Sequence, residues 1–210
     1  MKSVNRPIFA RCYGWLSHHM EREFGAHRAR QLAGLKGAVI EIGAGNGLNF
    51  AHYPADVTRV LAVEPEPHLR SLARDSAQRA AVPVEVVAGL ADRLPADDSS
   101  MHAAVSTLVL CSVPDQARAL REIRRVLRPG GQLRFLEHVR ADTALLRGTQ
   151  WLLDTTIWPF LAGGCHTYRD TAAAIRNAGF THSQLEHVRF PDLRVSTPGS
   201  THILGAALRP

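Results

Sequence analysis

Val39-Ile40-Glu41-Ile42-Gly43-Ala44-Gly45-Asn46-Gly47 is the stretch on which the reading of this chain turns. An apolar, β-branched run, residues 37–42 (GAVIEI), feeds directly into three glycines at alternate positions. Glycines there let the backbone turn tightly and approach a bound molecule with no Cβ in the way. A loop of this kind at the carboxyl end of a first strand is where doubly wound sheets bind their ligands. The spacing narrows the reading. The dinucleotide fingerprint asks for a small residue five positions after the first glycine. That position holds Leu48, and the third glycine, Gly47, comes one residue too early.

Working outward, further strands are expected at 59–63 (RVLAV), 84–88 (VEVVA), 103–110 (AAVSTLVL) and 132–137 (QLRFLE). Near-continuous apolar runs suit a parallel sheet buried on both faces. Between them, 68–80 repeats apolar residues at helical spacing, and Asp115 is a good N-cap for a helix over 116–127 that stops at Pro129-Gly130-Gly131. Such alternation means right-handed βαβ units and an α/β, doubly wound, mostly parallel sheet. A helix around 170–177 is followed by strands at 184–190 and 203–208 with no helix between them, which predicts an antiparallel hairpin at the sheet edge.

The whole chain, 1–210, reads as a single domain: a helical lid over 1–36, a core over 37–140, an inserted lid over 141–180 and the C-terminal hairpin over 181–210. In the first lid Ile8, Phe9, Cys12, Trp15, Leu16, Met20 and Phe24 fall close to helical spacing, and the plain reading is a helix packed on the domain rather than a membrane-surface anchor. The insertion carries Trp151, Trp158, Phe160 and a Gly163-Gly164 break.

With 210 residues, 45% hydrophobic and 21% charged, the composition is that of an ordinary globular domain and excludes disordered, collagenous and disulfide-scaffold classes. Cys12, Cys111 and Cys165 are odd in number and lack CxxC spacing, which fits separate reduced thiols and a cytoplasmic location. No secretory h-region opens the chain and no apolar run approaches the ~20 residues of a membrane span. The net charge of +6 comes from a basic complement in which 23 of 25 residues are arginine. They are scattered, with no aromatic-interleaved patch, so no nucleic-acid partner is expected. Peripheral contact with an anionic membrane surface asks only for net charge and an amphipathic face, and stays open.

Glu64 ends the second strand 21 residues after Gly43, where a carboxylate can accept both hydroxyls of a ribose. Dehydrogenases place an acid there too, so this residue indicates a nucleoside without identifying it. The Gly43-x-Gly45-x-Gly47 turn preceded by Glu41, the stretch Gly89-Leu90-Ala91-Asp92-Arg93-Leu94-Pro95 with Asp97-Asp98 behind it, and the helix and turn of 120–131 (LREIRRVLRPGG) together resemble the class I S-adenosylmethionine-dependent methyltransferases with a type 11 domain. The resemblance covers residues 37–140 in order and spacing. It implies a seven-stranded Rossmann-like sheet, S-adenosylmethionine as cofactor and S-adenosylhomocysteine as product. It assigns cofactor contact to Glu41, Gly43, Ala44, Gly45, Gly47, Asn49, Glu64, Pro65, Gly89, Leu90, Ala91, Thr107 and Leu108. Two departures stand out. Leu90 replaces the acid common after that glycine, which leaves the adenine amino group to the backbone or to Asp92. His102 replaces a common Asp and reads as a surface or capping histidine.

Four shorter stretches, Glu64-Pro65-Glu66-Pro67-His68, Leu110-Cys111-Ser112-Val113, Glu137-His138-Val139 and Gly164-Cys165-His166, resemble a branch holding the animal membrane-associated alkyl-thiol methyltransferases and bacterial relatives, some of them phospholipid N-methyltransferase-like. No apolar anchor like that of the animal proteins is seen here, so membrane attachment is not carried over. The resemblance implies methyl transfer to a small, apolar acceptor through S, N or O by in-line displacement, in which positioning does most of the work. A thiol is partly thiolate at neutral pH, whereas a hydroxyl or amine needs a base or a desolvating pocket. The alternatives are a phospholipid headgroup N-methyltransferase at a membrane surface and a non-catalytic cofactor-binding module.

Thr107, Cys111, His138, Cys165, His166, Tyr168 and Arg169 are the candidates near the reacting methyl, with His138 and Tyr168 as catalytic candidates. Cys111 reads as a buried small hydrophobe. His138 either orients a ligand or caps its strand. One adjacent Cys165-His166 pair is not ligand spacing, so no metal is expected. Tyr168-Arg169-Asp170 is either a cap for the next helix or an anion clamp. Trp15, Trp151 and Trp158 either line an apolar pocket or pack the lids down. Sequence leaves the oligomeric state open.

Overall fold

The computed structural model describes residues 7–190 and 197–210. Its spine is β1 (Gly37–Ile42), whose side chains alternate between two covered faces. Ile40 and Ile42 join a core with Leu120, Ile123 and Phe135. Val39 points the other way, among Leu32, Leu35, Phe50 and Val60. Strand β2 (Val57–Val63) and strand β3 (Val84–Val87) lie on one side of β1, and β4 (Met101–Thr107) and β5 (Leu127–His138) on the other, all parallel. The sheet is completed by β6 (Thr181–Arg189) and β7 (Thr201–Leu208), in the order β3-β2-β1-β4-β5-β7-β6, with β7 antiparallel to both neighbours. The sheet has seven strands and a C-terminal antiparallel hairpin, as expected. The strand order reverses between β1 and β4, and the glycine turn lies at that switch.

The helices are α1 (Pro7–Leu32), α2 (Pro67–Ala77), α3 (Gln116–Val126), α4 (Ala144–Thr155), α5 (Trp158–Leu161) and α6 (Thr171–Asn177). Three begin on a side-chain cap: Glu66 accepts from the Leu69 amide with Pro67 at the first turn, Asp115 from Arg118 and Asp170 from Ala173. Asp170 is thus the helix cap that its sequence suggested. His102 is a cap too, at the foot of the sheet: its Nδ1 accepts from the Ala38 amide at 3.2 Å. Burial, then the nearby Arg128, holds its pKa below the usual histidine range, which keeps that lone pair available. Among the described residues no helix is long and apolar enough to cross a membrane.

Two expectations need correction. Strand β4 ends at Thr107, not at 110, because Leu108 takes a left-handed φ of 59° that ends the extended run. And α1 extends to Leu32 and packs through a face other than the large apolar one. Trp15 and Leu16 are 67% and 48% exposed, and Cys12 is exposed. Among the described residues of the helix the buried positions are Ala10, Gly14, Ser17, Phe24, Arg28, Gln31 and Leu32, the first six spaced alternately by four and three with half-buried Glu21 completing the series. The side chains of Ile8 and Met20 lie outside the described residues.

Candidate active site

The glycine turn owes its shape to three left-handed residues, Gly43, Gly45 and Gly47, with φ of 63°, 58° and 80°. Space as well as dihedral demands glycine here. A Cβ on Gly43 would come within 2.5 Å of Val109 Cγ2, and one on Gly47 within 2.6 Å of the Phe50 ring. The turn hangs from β2, since the Gly43 and Ala44 amides both donate to the Val63 carbonyl, at 2.8 and 3.1 Å.

Glu64, one residue on and 5% exposed, holds the turn from beside it. Its Oε2 accepts from the Gly45 amide and its Oε1 from the Glu66 amide, both at 2.8 Å. Each carboxylate oxygen carries a second lone pair, so a vicinal diol can still be accepted. Burial pushes this carboxyl up to about 7 against the opposing effect of the two amides. Arg70 donates to the Glu64 and Pro65 carbonyls at 2.9 and 3.0 Å and fixes the backbone of both.

Beneath the turn runs a buried polar chain. Glu41 accepts from Asn49 Nδ2 at 2.9 Å and from the Tyr53 hydroxyl at 2.7 Å, and burial pushes its carboxyl up to about 7. Asn49 also donates to the Thr107 hydroxyl, which donates onward to Gln31 Oε1 at 2.9 Å. Arg28 donates to Asn49 Oδ1 at 2.9 Å, pairs with Glu21 at 3.1 Å and stands over the Phe24 ring. Glu41, Asn49 and Thr107 are thereby placed under the turn, tying it to β4 and to α1.

From above, α1 closes the turn. Ser17 accepts from Asn46 Nδ2 at 2.9 Å, and the Tyr13 ring would stand 3.6 Å from a Cβ on Gly45. Burial pushes the Tyr13 phenol up, and it also feels Arg28, Glu64 and Cys111, which places it between the two halves of the site. On the far side of β2, Gly89 is buried and a Cβ there would come within 2.7 Å of Val63. Leu90 bridges to Arg93, beside half-buried Ala91. Asp92, the alternative adenine reader, pairs with Arg118 at 3.6 Å.

The second half of the site is the loop after β4. Left-handed Leu108 starts it, and fully buried Glu137 at the end of β5 holds it. Glu137 Oε1 accepts from the Ser106 hydroxyl at 2.6 Å and from the Val109 and Leu110 amides at 3.1 and 3.0 Å, while Oε2 accepts from the Cys111 amide at 3.1 Å. Arg169 secures the loop from the insertion by donating to the Leu110 and Val113 carbonyls at 2.9 and 2.7 Å. It acts as a backbone clamp, an arrangement outside both readings its sequence suggested. His166 donates its amide to the Cys111 carbonyl at 2.9 Å.

Here Cys111, His138 and Cys165 converge. Cys165 Sγ lies 3.6 Å from Cys111 Sγ and 3.3 Å from His138 Nδ1, and His138 Nε2 donates to the Gly199 carbonyl at 2.9 Å. Cys111 is fully buried, and its hydrogen bond to Cys165, then burial, pushes the thiol well above its usual range. Tyr168 is not drawn into this cluster: it is 39% exposed and its amide donates to Asp154 Oδ2 at 3.0 Å. Trp151 is 55% exposed, on the outer side of the insertion. The two lids touch each other, because Phe9 of α1 lies where a Cβ on Gly163 would be, 2.3 Å from its Cζ.

Tyr13, Arg28, Gln31 and Glu137 are site residues that the sequence did not reveal as such. Glu137 alone carried a signal, a lone acid closing an apolar strand.

A methyltransferase-domain family model matches residues 40–135. The chain is 36% identical to the human thiol S-methyltransferase TMT1B over 85% of its own length and 75% of that protein's. It is 37% identical to human TMT1A, covering 77% of this chain and 68% of the relative. In fold it resembles the putative methyltransferase solved with the Haloferax volcanii Trm112 methyltransferase activator, with a TM-score of 0.72 at 17% identity over 98% and 99% of the two chains. A putative methyltransferase from Bacillus halodurans gives 0.71 at 19% identity, over 90% of this chain and 99% of that one.

Proposed function

The chain belongs to the S-adenosylmethionine-dependent methyltransferases, and from that premise we propose that the small acceptor it methylates is an apolar thiol. Methyl transfer from S-adenosylmethionine to a small acceptor is the family's reaction; sulfur is the finer step. The observation that carries it is the 36–37% identity to the human thiol S-methyltransferases across most of the chain.

The geometry supports a division of labour. Gly43, Ala44, Gly45 and Gly47 would face the methionine portion of the cofactor, Glu64 would take the ribose hydroxyls, and Gly89, Leu90 and Ala91 would flank the adenine. Glu41, Asn49, Thr107 and Leu108 hold these contacts in place from below, with Pro65 fixed by Arg70. In an in-line displacement the thiolate attacks the methyl carbon, the C–S⁺ bond breaks, and the electron pair leaves on S-adenosylhomocysteine. Charge is lost rather than created, so orientation and exclusion of water are the protein's main contributions. A thiol ionises far more readily than an alkyl hydroxyl, so it needs less help from a base. His138, tied to Gly199 and Cys165, therefore acts as a positioning residue, and exposed Tyr168 takes no proton from the acceptor.

Three free cysteines, two of them with sulfurs 3.6 Å apart, support the reducing cytoplasm as the compartment. The test of the proposal is a parallel assay of alkyl thiol, amine and phenol acceptors. A thiol should exceed the others at least tenfold in kcat/KM, and an amine or phenol in first place overturns the sulfur assignment.

One observation favours a second reading, a lipid acceptor at a membrane. Leu145, Trp151, Leu152, Ile157, Phe160 and Leu161 are all more than half exposed along α4 and α5. Sedimentation with anionic vesicles at low salt distinguishes it: no binding removes this reading.

A further inference from the structure

Cys111, His138 and Cys165 come from three separate places in the chain, the loop after β4, the end of β5 and the insertion. Folding puts one ligand atom from each within 4.8 Å of the others. Tetrahedral zinc with Zn–S near 2.3 Å and Zn–N near 2.0 Å sets edges of about 3.8 Å between two sulfurs and about 3.5 Å between sulfur and nitrogen. The distances here are 3.6 Å and 3.3 Å. The two sulfurs are too far apart for a disulfide, whose S–S length is about 2.05 Å, and both cysteines are free.

A second, independent feature concerns the histidine. The Nε2–H of His138 donates to the Gly199 carbonyl at 2.9 Å, which fixes the tautomer and turns the Nδ1 lone pair toward the sulfurs. Metal-bound histidines are held in this way by a carbonyl or carboxylate on the other nitrogen. The sulfur ligands are anchored as well. The Cys111 amide donates to Glu137, its carbonyl accepts from the His166 amide, and the Cys165 amide donates to the Ala162 carbonyl at 3.0 Å. Left-handed Gly163 and Gly164 form the turn that delivers Cys165.

We propose that Cys111, His138 and Cys165 form a site for Zn2+ that ties the insertion to the cofactor sheet and leaves one coordination position for an exogenous thiol. Two thiolates balance the cation's charge, their protons pass to solvent on binding, and the neutral imidazole supplies the third ligand. Among the described residues no further cysteine, histidine or carboxylate joins the group, so the fourth tetrahedral position is left to a small molecule. Three protein ligands with one open position is the pattern of zinc sites that bind a reactant rather than only brace a fold. The open position rests on the proposed thiol acceptor, which would bind there as thiolate. The metal site itself does not.

The experiment uses the full chain with exposed Cys12 replaced, Cys12→Ser, so that no outlying thiol captures metal. The protein is loaded with Zn2+, passed over a desalting column and analysed for metal, then loaded with Co2+ to read the thiolate charge-transfer band. The expected result is one metal ion per chain and a cobalt spectrum of a tetrahedral, two-sulfur site. Cys111→Ser and Cys165→Ser should each weaken binding more than about 100-fold, with circular dichroism confirming that the variants stay folded. Retention of metal by neither the parent nor the variants, or equally by all, overturns the site. Addition of a small alkyl thiol should shift the cobalt band, and an unchanged band overturns the open position. Chelator-stripped enzyme separates this inference from the acceptor assignment. Full-rate thiol methylation without metal removes the reactant-binding role and leaves sulfur as the acceptor. A well-formed cobalt site in a protein that methylates no thiol does the reverse.

Discussion

Two buried glutamates, Glu64 at the end of β2 and Glu137 at the end of β5, do the same job on opposite sides of the switch point and yet differ in what they have left over. Each anchors the loop beside it by accepting backbone amides, from Gly45 and Glu66 in one case and from Val109, Leu110 and Cys111 in the other. Glu64 spends one lone pair per oxygen and is 5% exposed, whereas Glu137 takes four donors, the Ser106 hydroxyl included, and is 0% exposed. The lesson is that residue type and strand position do not tell how much accepting capacity a buried carboxylate keeps for a further partner. The count of donors it already satisfies does.

The strongest way to break this comparison is to remove each carboxylate. Glu137→Ala leaves three amides without a buried acceptor and should lower the free energy of unfolding by about 3–5 kcal/mol, read by urea denaturation. A loss under 1 kcal/mol would mean the loop finds other partners. Glu64→Ala should instead act on the cofactor, weakening S-adenosylmethionine binding by about 1.5–3 kcal/mol in calorimetry. An unchanged dissociation constant would show that the ribose is held elsewhere.

Acidity sharpens the same contrast. Burial places both Glu64 and Glu41 at about 7 in the folded chain, against an ordinary 4.5. Between those values the folded state holds more protons than the unfolded one, so the stability from these groups is full below 4.5 and is lost as pH rises through about 7. The melting temperature of the free enzyme should fall over that window. Ribose hydroxyls favour the ionised Glu64, so cofactor affinity should rise over the same window with release of a proton, seen as a buffer-dependent heat. Glu64→Gln should abolish that release. A smaller effect is expected across the insertion. Arg169→Met removes two bonds to carbonyls and should raise the acceptor KM several-fold, with cofactor affinity intact and about 1–2 kcal/mol of stability lost. At the small end, Tyr168→Phe should change kcat less than twofold, because its hydroxyl takes no proton in the proposed reaction; a tenfold fall would make it a base.

Much of the fold was legible because its signals are local. Apolar runs ending in glycine, and Asp115 at a helix start, are statements about neighbours in sequence. The end of β4 was misread because nothing in a leucine announces a left-handed dihedral; that conformation accompanies a loop held by Glu137, which stands 29 residues further along. The packing face of α1 was misread because hydrophobic periodicity assumes an apolar partner. This helix covers a polar turn, so it buries Gly14, Ser17, Arg28 and Gln31 and leaves Trp15 outside. Around the glycine turn, Glu64 and the three glycines follow from local sequence. In the loop after β4, Cys111, His138 and Cys165 lie 27 residues apart at each step, beyond any spacing rule that works within one turn or hairpin.

Phe9 against Gly163 gives the two halves a common timetable. The helix that roofs the glycine turn and the segment that carries Cys165 meet at this seam, so a movement of either that opens the site must part Phe9 from Gly163. If turnover opens the site there, Phe9→Ala should loosen the coupling, with S-adenosylhomocysteine leaving in stopped-flow traces at a rate no longer tied to departure of the methylated acceptor.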